Sequence, residues 1–138
     1  MEIEIQLTRE PIIAPKLAEE FSGSAGALAE FSGNVRASEN GAAIAALEYE
    51  AYSPMAENEI RRILESLAEK FPCLAVSVIH RLGIIPVGET AIYLGMAAKH
   101  RGEAFGLLTE FMNRLKQDVP IWKRRALSPA EFSALIKS

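Results

Sequence analysis

The chain has 138 residues, 49% of them hydrophobic and 24% charged, and its formal net charge at pH 7 is −3. This balance is typical of a globular protein, here one domain over residues 1–138, and it excludes a disordered chain. The acidic excess argues against a general nucleic-acid binder, and the apolar runs are too short to span a membrane. The first residues show no basic, apolar leader, so we expect a cytoplasmic protein.

The single cysteine, Cys73, excludes an internal disulfide and suits a reducing compartment. It follows Pro72 ahead of an apolar run, which is typical of a small buried hydrophobe. The two histidines lie far apart and give no metal-ligand spacing. The chain also lacks a Walker loop, Gly-x-Gly-x-x-Gly and Gly-x-Ser-x-Gly. We therefore predict neither a metal nor a cofactor.

The first third of the chain predicts three strands. Isoleucine and leucine alternate with polar residues over positions 3–7, as in a half-buried strand. A short helix then ends near Phe21, and two further strands are predicted at residues 27–36 and 43–52. Asn40-Gly41 between them is a strong hairpin signal, so we expect these two strands to pair antiparallel.

Two long amphipathic helices are also predicted. The first opens at Ser53-Pro54, a capping serine with proline at the first helical position, and ends at Pro72. The second begins at His100 and stops near Val119, because Pro120 lacks a donor and clashes with the preceding turn. Apolar residues at helical spacing give each helix one buried face. These residues are Ile60, Ile63, Leu64, Leu67 and Phe71 in the first helix, and Ala104, Phe105, Leu108, Phe111, Met112 and Leu115 in the second.

Strands are predicted at residues 74–81 and 90–98, joined by a connection or hairpin over 83–88. The strongly apolar segment 90–98 is expected to be central in its sheet. Ser128-Pro-Ala-Glu131 is a capping box that starts a terminal helix. Together the elements predict an α+β fold, with an antiparallel or mixed sheet and two long amphipathic helices.

Two lysines flank the proline that ends the second long helix. Lys116 lies on the helix, whereas Lys123 follows on an extended segment. Such a pair can converge on one anion, and a desolvated lysine beside a second cation can act as nucleophile or acid/base. We expect Lys116 to be partly buried in a pocket floored by Ile121-Trp122. The alternative is a pair of solvated surface lysines.

Other cations lie at the ends of predicted elements, where sites tend to be built. Arg36 ends a strand, and His100-Arg101 opens the second long helix, where the helix dipole favours an anion. Arg101 and Lys116 are fifteen residues apart on one helix, which places them about 20 Å from each other. Either the site is elongated, or a second subunit supplies one end of it.

Five short segments of the chain follow one another in a characteristic order and spacing. Each segment by itself is weak evidence of a family. They are Gly26-Ala-Leu-Ala-Glu-Phe-Ser-Gly33-Asn-Val-Arg36, then Leu47-Glu-Tyr-Glu-Ala-Tyr52 with Met55, then Ile79-His-Arg-Leu-Gly83 with Gly88-Glu89, then His100-Arg101 with Ala104-Phe105, and finally Leu115-Lys116 running into Val119-Pro-Ile-Trp-Lys123. Together they are highly specific. Over about residues 26–124 the chain resembles the large, catalytic subunit of molybdopterin synthase.

The resemblance implies a fold of the α/β-hammerhead type and a sulfurtransferase activity. Members of this family convert cyclic pyranopterin monophosphate to molybdopterin. Two sulfurs come from the C-terminal Gly-Gly thiocarboxylate of a small ubiquitin-like subunit, whose tail threads into the large subunit. The implied assembly is a homodimer of large subunits, each with one small subunit, which makes a heterotetramer.

The resemblance also implies roles for the cations, since substrate, thiocarboxylate and product are all anionic. Arg36, His100 and Arg101 would hold the pterin phosphate, with His100 and Arg101 supplied across a dimer interface. Lys116 and Lys123 would lie at the reacting carbons, as acid/base or transient covalent partners. The implied substrate-binding set is Asn34, Val35, Arg36, His100, Arg101, Lys116, Lys123, Arg124 and Arg125.

The chain departs from the family pattern at two places. Arg125 stands where the family commonly has an acid, and a capped helix from Ser128 replaces the usual C-terminal stretch. These departures favour an alternative, in which the chain is a non-catalytic anion-binding or regulatory paralogue with the same fold.

Overall fold

The computed structural model describes residues 1–137 as nine strands and four helices. They are β1 (Glu2–Thr8), α1 (Leu17–Glu20), β2 (Ala27–Asn34), β3 (Ser38–Glu39), β4 (Ala42–Ala43), β5 (Ala46–Ala51), α2 (Met55–Ala68), β6 (Ala75–Arg81), β7 (Gly83–Pro86), β8 (Thr90–Ala98), α3 (Arg101–Asp118), β9 (Ile121–Leu127) and α4 (Pro129–Lys137). The predicted α+β class is confirmed. None of the helices in these residues has the length and apolarity needed to cross a membrane.

The main sheet has the order β1-β6-β8-β2, with β1 parallel to β6 and the other pairs antiparallel. The predicted central position of β8 is confirmed. Helices α2 and α3 pack on one face of this sheet and form the larger core cluster. β6 and β8 are buried almost throughout, which explains why they lack the polar alternation of β1. The fully buried side chains of this cluster include Ile60, Ile63, Leu64, Leu94, Met96, Leu107 and Phe111.

A second, three-stranded sheet has the order β7-β5-β9, and both of its strand pairs are antiparallel. It contributes to a smaller core cluster formed by Val35, Leu47, Ile85 and Ala91. Because Val35 directly follows β2 and Ala91 lies in β8, this cluster ties the second sheet to one end of the main sheet. β9 therefore carries its cations beside the chain segment that follows β2.

The predicted hairpin between the second and third strands is wrong. β2 pairs with β8, whereas β5 pairs with β7 and β9. Asn40-Gly41 does form a turn, and both residues have positive φ, 51° and 80°, as a type I′ turn requires. However, it closes only the two-residue strands β3 and β4. The turn depends only on its own two residues. The pairing of the long strands depends on burial of the apolar strand β8, which pairs with β2.

The start of α2 and the buried face of α3 also differ from the prediction. Ser53 makes no cap bond to the helix backbone; its Oγ donates to Oε2 of Glu57 at 2.6 Å. Phe105 is 60% exposed, whereas Leu107, outside the predicted face, is fully buried. The stripe that faces the sheet is rotated relative to the prediction. It consists of Ala104, Leu107, Phe111 and Leu115, with Leu108 and Met112 half-buried at its margin.

Two local predictions are confirmed. In the capping box, the Ser128 N–H donates to Oε1 of Glu131 at 2.9 Å, and the Glu131 N–H donates to Oγ of Ser128 at 3.1 Å. Cys73 is buried. Burial, with a smaller contribution from Glu103, raises the pKa of its thiol to about 11. Cys73 therefore has little thiolate at neutral pH and is not a reactive cysteine.

Because His80 is buried, we predict that the folded state loses stability in mild acid. Its Nδ1–H donates to the Arg81 carbonyl at 2.8 Å, and its ring lies 5.1 Å from that of Tyr49. Burial lowers the pKa of His80 because the charged ring loses its water, although the Arg81 bond opposes this. Above about pH 6.5 the ring is neutral in both the folded and unfolded states. Below that pH the unfolded chain binds a proton first, so the free energy of unfolding falls.

Urea titrations between about pH 6.5 and 5 test this expectation, since most carboxylates are still ionised there. His80→Gln is expected to flatten the decline in unfolding free energy. The wild-type protein, titrated in parallel, gives the reference slope. An unchanged slope in His80→Gln contradicts the assignment.

Candidate functional site

The predicted cations divide between the two ends of β2 and α3, which lie side by side. At one end, His100 and Arg101 line a surface hollow with Gly26 and Ala27. The Gly26 N–H donates to the Ala98 carbonyl at 2.9 Å, which fixes the start of β2 against the end of β8. This backbone hydrogen bond therefore helps to place the start of β2 next to the start of α3.

The start of α3 is suited to bind an anion. His100 is the N-cap residue, with extended backbone and no side-chain cap bond. Its side chain is 79% exposed, and its Nδ1 lies 3.6 Å from Oε2 of Glu103. The N–H groups of the first turn have no cap from His100, and the helix dipole adds partial positive charge there. His100 and Arg101 thus lie where a phosphate group is favoured.

At the other end, Lys116 lines a second hollow with Phe31 of β2 and with residues of α3 that include Met112. The prediction that Lys116 is partly buried over Ile121-Trp122 is wrong, because Lys116 is exposed and those two residues do not line its hollow. The physical reason is that β9 leaves α3 to pair with β5 in the second sheet. Lys116 instead shares its hollow with Phe31, on the edge strand β2 of the main sheet.

Arg36 follows β2 and is placed by the residues before it. Oγ1 of Thr90 donates to Oδ1 of Asn34 at 2.8 Å, and the Val35 N–H donates to the Glu89 carbonyl at 3.0 Å. Val35 is buried in the second core cluster, whereas Arg36 is exposed. Asn34 and Val35, both in the predicted substrate-binding set, thus fix the chain so that Arg36 points to solvent.

The two ends are too far apart for one small ligand within a single chain. Arg101 and Lys116 are separated by about 22 Å of helix. β2 spans about 23 Å between Ala27 and Asn34. The structure brings His100 near Arg101, and it places Lys116 and Arg36 toward the opposite end. An elongated site and a site shared between two subunits both remain compatible with this geometry.

Three successive cations on β9 each pair with a glutamate from a neighbouring strand. The pairs are Lys123–Glu39 at 2.7 Å, Arg124–Glu50 at 2.8 Å and Arg125–Glu48 at 2.7 Å. Two of the glutamates lie on β5 and one on β3. Arg125, the departure from the family pattern, thus has a carboxylate partner of its own and adds no unpaired charge.

Of the remaining predicted cations, His100 lies 3.6 Å from a carboxylate oxygen of Glu103, whereas the other three have no such partner within residues 1–137. Among residues 1–137, no carboxylate forms an ion pair with Arg36, Arg101 or Lys116. All three side chains are exposed. They are therefore the predicted site cations whose positive charge is not balanced by a nearby carboxylate of residues 1–137.

The glutamate partners were missed by sequence reasoning. The Glu48-x-Glu50 spacing on a predicted strand was an available signal, because such residues share one face of a strand. No local signal exists for Glu39, since its bond to Lys123 joins residues 84 positions apart. That contact depends on how the β3–β4 hairpin packs beside β9.

Comparisons with known proteins agree with the fold. Residues 7–118 match the family model described as MoaE protein. The molybdopterin synthase catalytic subunit of Homo sapiens is 40% identical over 99 residues, which is 72% of this chain and 53% of that protein. The protein of the same name from Bacillus subtilis (strain 168) is 33% identical over 127 residues, 91% of this chain and 81% of the relative.

A solved structure also matches. Molybdopterin synthase from Staphylococcus aureus superposes with a TM-score of 0.78 and 34% identity, over 85% of this chain and 86% of that one. The chain spans about half the length of the mammalian relatives it matches. The match nevertheless takes in β2, α3 and the cations at both of their ends, and on these grounds the chain belongs to the MoaE family.

Proposed function

We propose that this chain is the catalytic subunit of a molybdopterin synthase. It converts cyclic pyranopterin monophosphate to molybdopterin with two sulfurs, each delivered by the C-terminal thiocarboxylate of a separate copy of a small ubiquitin-like subunit. The observation that carries the proposal is that three predicted site cations, Arg36, Arg101 and Lys116, are exposed and form no ion pair within residues 1–137. The chain belongs to a family whose curated relatives are named for this activity. We further propose that residues 1–138 work as one domain, in the cytoplasm.

In this proposal each cation has a defined task. Arg36, His100 and Arg101 bind the phosphate of the pterin through charge-assisted hydrogen bonds. Lys116 lies beside Phe31 and Met112, and it acts as the base or nucleophile in sulfur transfer. Fixed positive charges stabilise the negative charge that develops during the transfer. The reaction requires no metal in this scheme.

The separation of the two cation groups supports a homodimer in which each site takes residues from both subunits. One chain supplies Arg36, Lys116 and Lys123, and its partner supplies the opposite end of the site. The small subunit's tail lies near residues 31–36 and 120–123. A glycine-rich tail offers little side-chain surface, so backbone hydrogen bonds and its terminal charge hold it.

Reconstitution tests the proposed function. The purified chain is given a thiocarboxylated small subunit and the cyclic precursor, and dithiolene product is measured. We expect product from the intact partner. We expect none from a partner that lacks its terminal glycines, although the two proteins still form a complex through their globular surfaces. Complex formation without product from the intact partner would support the non-catalytic paralogue instead.

A further inference from the structure

A β-bulge sets the direction of Lys123. In the pairing of β5 with β9, Glu48 lies opposite Arg125 and Tyr49 lies opposite Lys123, so Arg124 is the extra residue. Neighbouring residues of β5 point to opposite faces of the sheet. In a regular strand, residues 123 and 125 would share one face, but the bulge directs Lys123 to the face of Tyr49. Lys123 is thereby separated from the two arginines that follow it.

On that face the Lys123 ammonium meets Glu39. Their Nζ and Oε2 atoms are 2.7 Å apart, and the side chains are only 38% and 23% exposed. Glu39 lies on the β3–β4 hairpin, three residues after Arg36. Three residues of chain span at most about 11 Å. The Glu39 ion pair thus keeps Lys123 in the neighbourhood of Arg36 and of the chain segment that follows β2.

The two candidate lysines therefore have different surroundings. Lys123 has a carboxylate partner on its own chain, whereas Lys116 has none within residues 1–137. An ammonium has three N–H donors, so Lys123 keeps two for an incoming anion while Glu39 holds the third. Lysine side chains are flexible, and one that is already oriented loses less freedom when it binds.

We propose that Glu39 is a positioning residue, which fixes Lys123 as a stationary positive charge for the partner's anionic tail and leaves proton transfer or nucleophilic attack to Lys116. This inference rests on the proposed function. Glu39 acts through Lys123 and does not touch the substrate. Its role is to keep the Lys123 ammonium aimed at the reacting end of the tail.

Turnover of Glu39 variants tests this role. Glu39→Gln is expected to lower kcat about tenfold while the KM for the cyclic precursor stays unchanged. Glu39→Asp, which keeps the charge, is expected to recover part of the loss. Glu59→Gln removes a carboxylate from an exposed ion pair with Arg62 on α2, and it is the matched control with wild-type kcat.

A double-variant cycle separates positioning from a general structural effect. In a Lys123→Met background, Glu39→Gln is expected to cause no further loss of kcat. A further tenfold loss in that background, or wild-type kcat in the single Glu39→Gln variant, would overturn the assignment.

A measurement that does not depend on turnover distinguishes failure of this inference from failure of the proposed function. Amine acetylation is followed by mass spectrometry, and labelling of Lys123 is expected to be several-fold faster in Glu39→Gln than in wild type. Lys70, whose Nζ lies 5.2 Å from the centroid of the Phe71 ring, has no contact with Glu39 and is expected to label equally in both. Equal labelling of Lys123 overturns the inference. Absence of product from wild type, with faster Lys123 labelling in Glu39→Gln, overturns the proposed function alone.

Discussion

Lys116→Arg is expected to lose single-turnover formation of dithiolene product by about 10²- to 10⁴-fold, at saturating partner and precursor. Arginine keeps the positive charge, but its guanidinium stays protonated and can neither transfer a proton nor attack a carbonyl carbon. Folding is expected to be unaffected, because Lys116 is exposed and makes no ion pair within the described residues. Product formation is followed by rapid quench.

The lysine variants give the control for this result. Lys116→Ala is expected to remove turnover more completely than Lys123→Ala, whereas precursor binding survives in both. Lys123→Arg is expected to retain much of the rate, since a cation held by Glu39 is all that its proposed role requires. A near-wild-type rate in Lys116→Arg would make Lys116 an electrostatic clamp and move the chemical role to Lys123 or to the substrate.

A mixture of Arg36→Ala and Arg101→Ala chains is expected to recover about a quarter of wild-type activity, although each variant alone is strongly impaired. Each arginine lost from phosphate costs about 1.5–3 kcal/mol of precursor binding. If Arg36 and Arg101 of different subunits share a site, a mixed dimer has one intact site and one doubly damaged site. Random exchange places half of the chains in mixed dimers, which gives the expected quarter.

A second mixture is the matched control. Arg36 and Lys116 lie toward the same end of β2 and belong to the same half of the site, so Arg36→Ala mixed with Lys116→Ala leaves no intact site in any dimer. No recovery is expected. Recovery in this control, or none in the first mixture, would contradict the shared site. So would light scattering that shows a fully active monomer.

Local structural features, such as turns and helix caps, were predictable from the sequence because residues close together in the chain determine them. The Asn40-Gly41 turn and the capping box at Ser128 are both present. Pairing of the long strands was not, because β2 is placed by β8, whose residues begin 56 positions after Asn34. The buried stripe of α3 was misjudged at Phe105, since an exposed phenylalanine cannot be told from a core one by spacing.

For the candidate site, the sequence indicated which cations lie at the ends of elements but not what neutralises them. The glutamate partners on β3 and β5 depend on strand pairing and on the bulge at Arg124. These are long-range features of packing. The structure therefore separates the predicted cations that have a carboxylate partner from those that have none within residues 1–137.

The length of β2 has a consequence for binding at equilibrium. In a two-fold dimer that joins Arg36 of one chain to Arg101 of the other, the reciprocal contact forms as well, so there are two sites. In each chain, β2 separates the half-site at Arg36 from the half-site at Arg101 by about 23 Å. The screening length at physiological ionic strength is about 8 Å, so an anion in one site exerts little repulsion on an anion in the other. Both sites can be filled together, and precursor binding to the dimer follows a simple hyperbola.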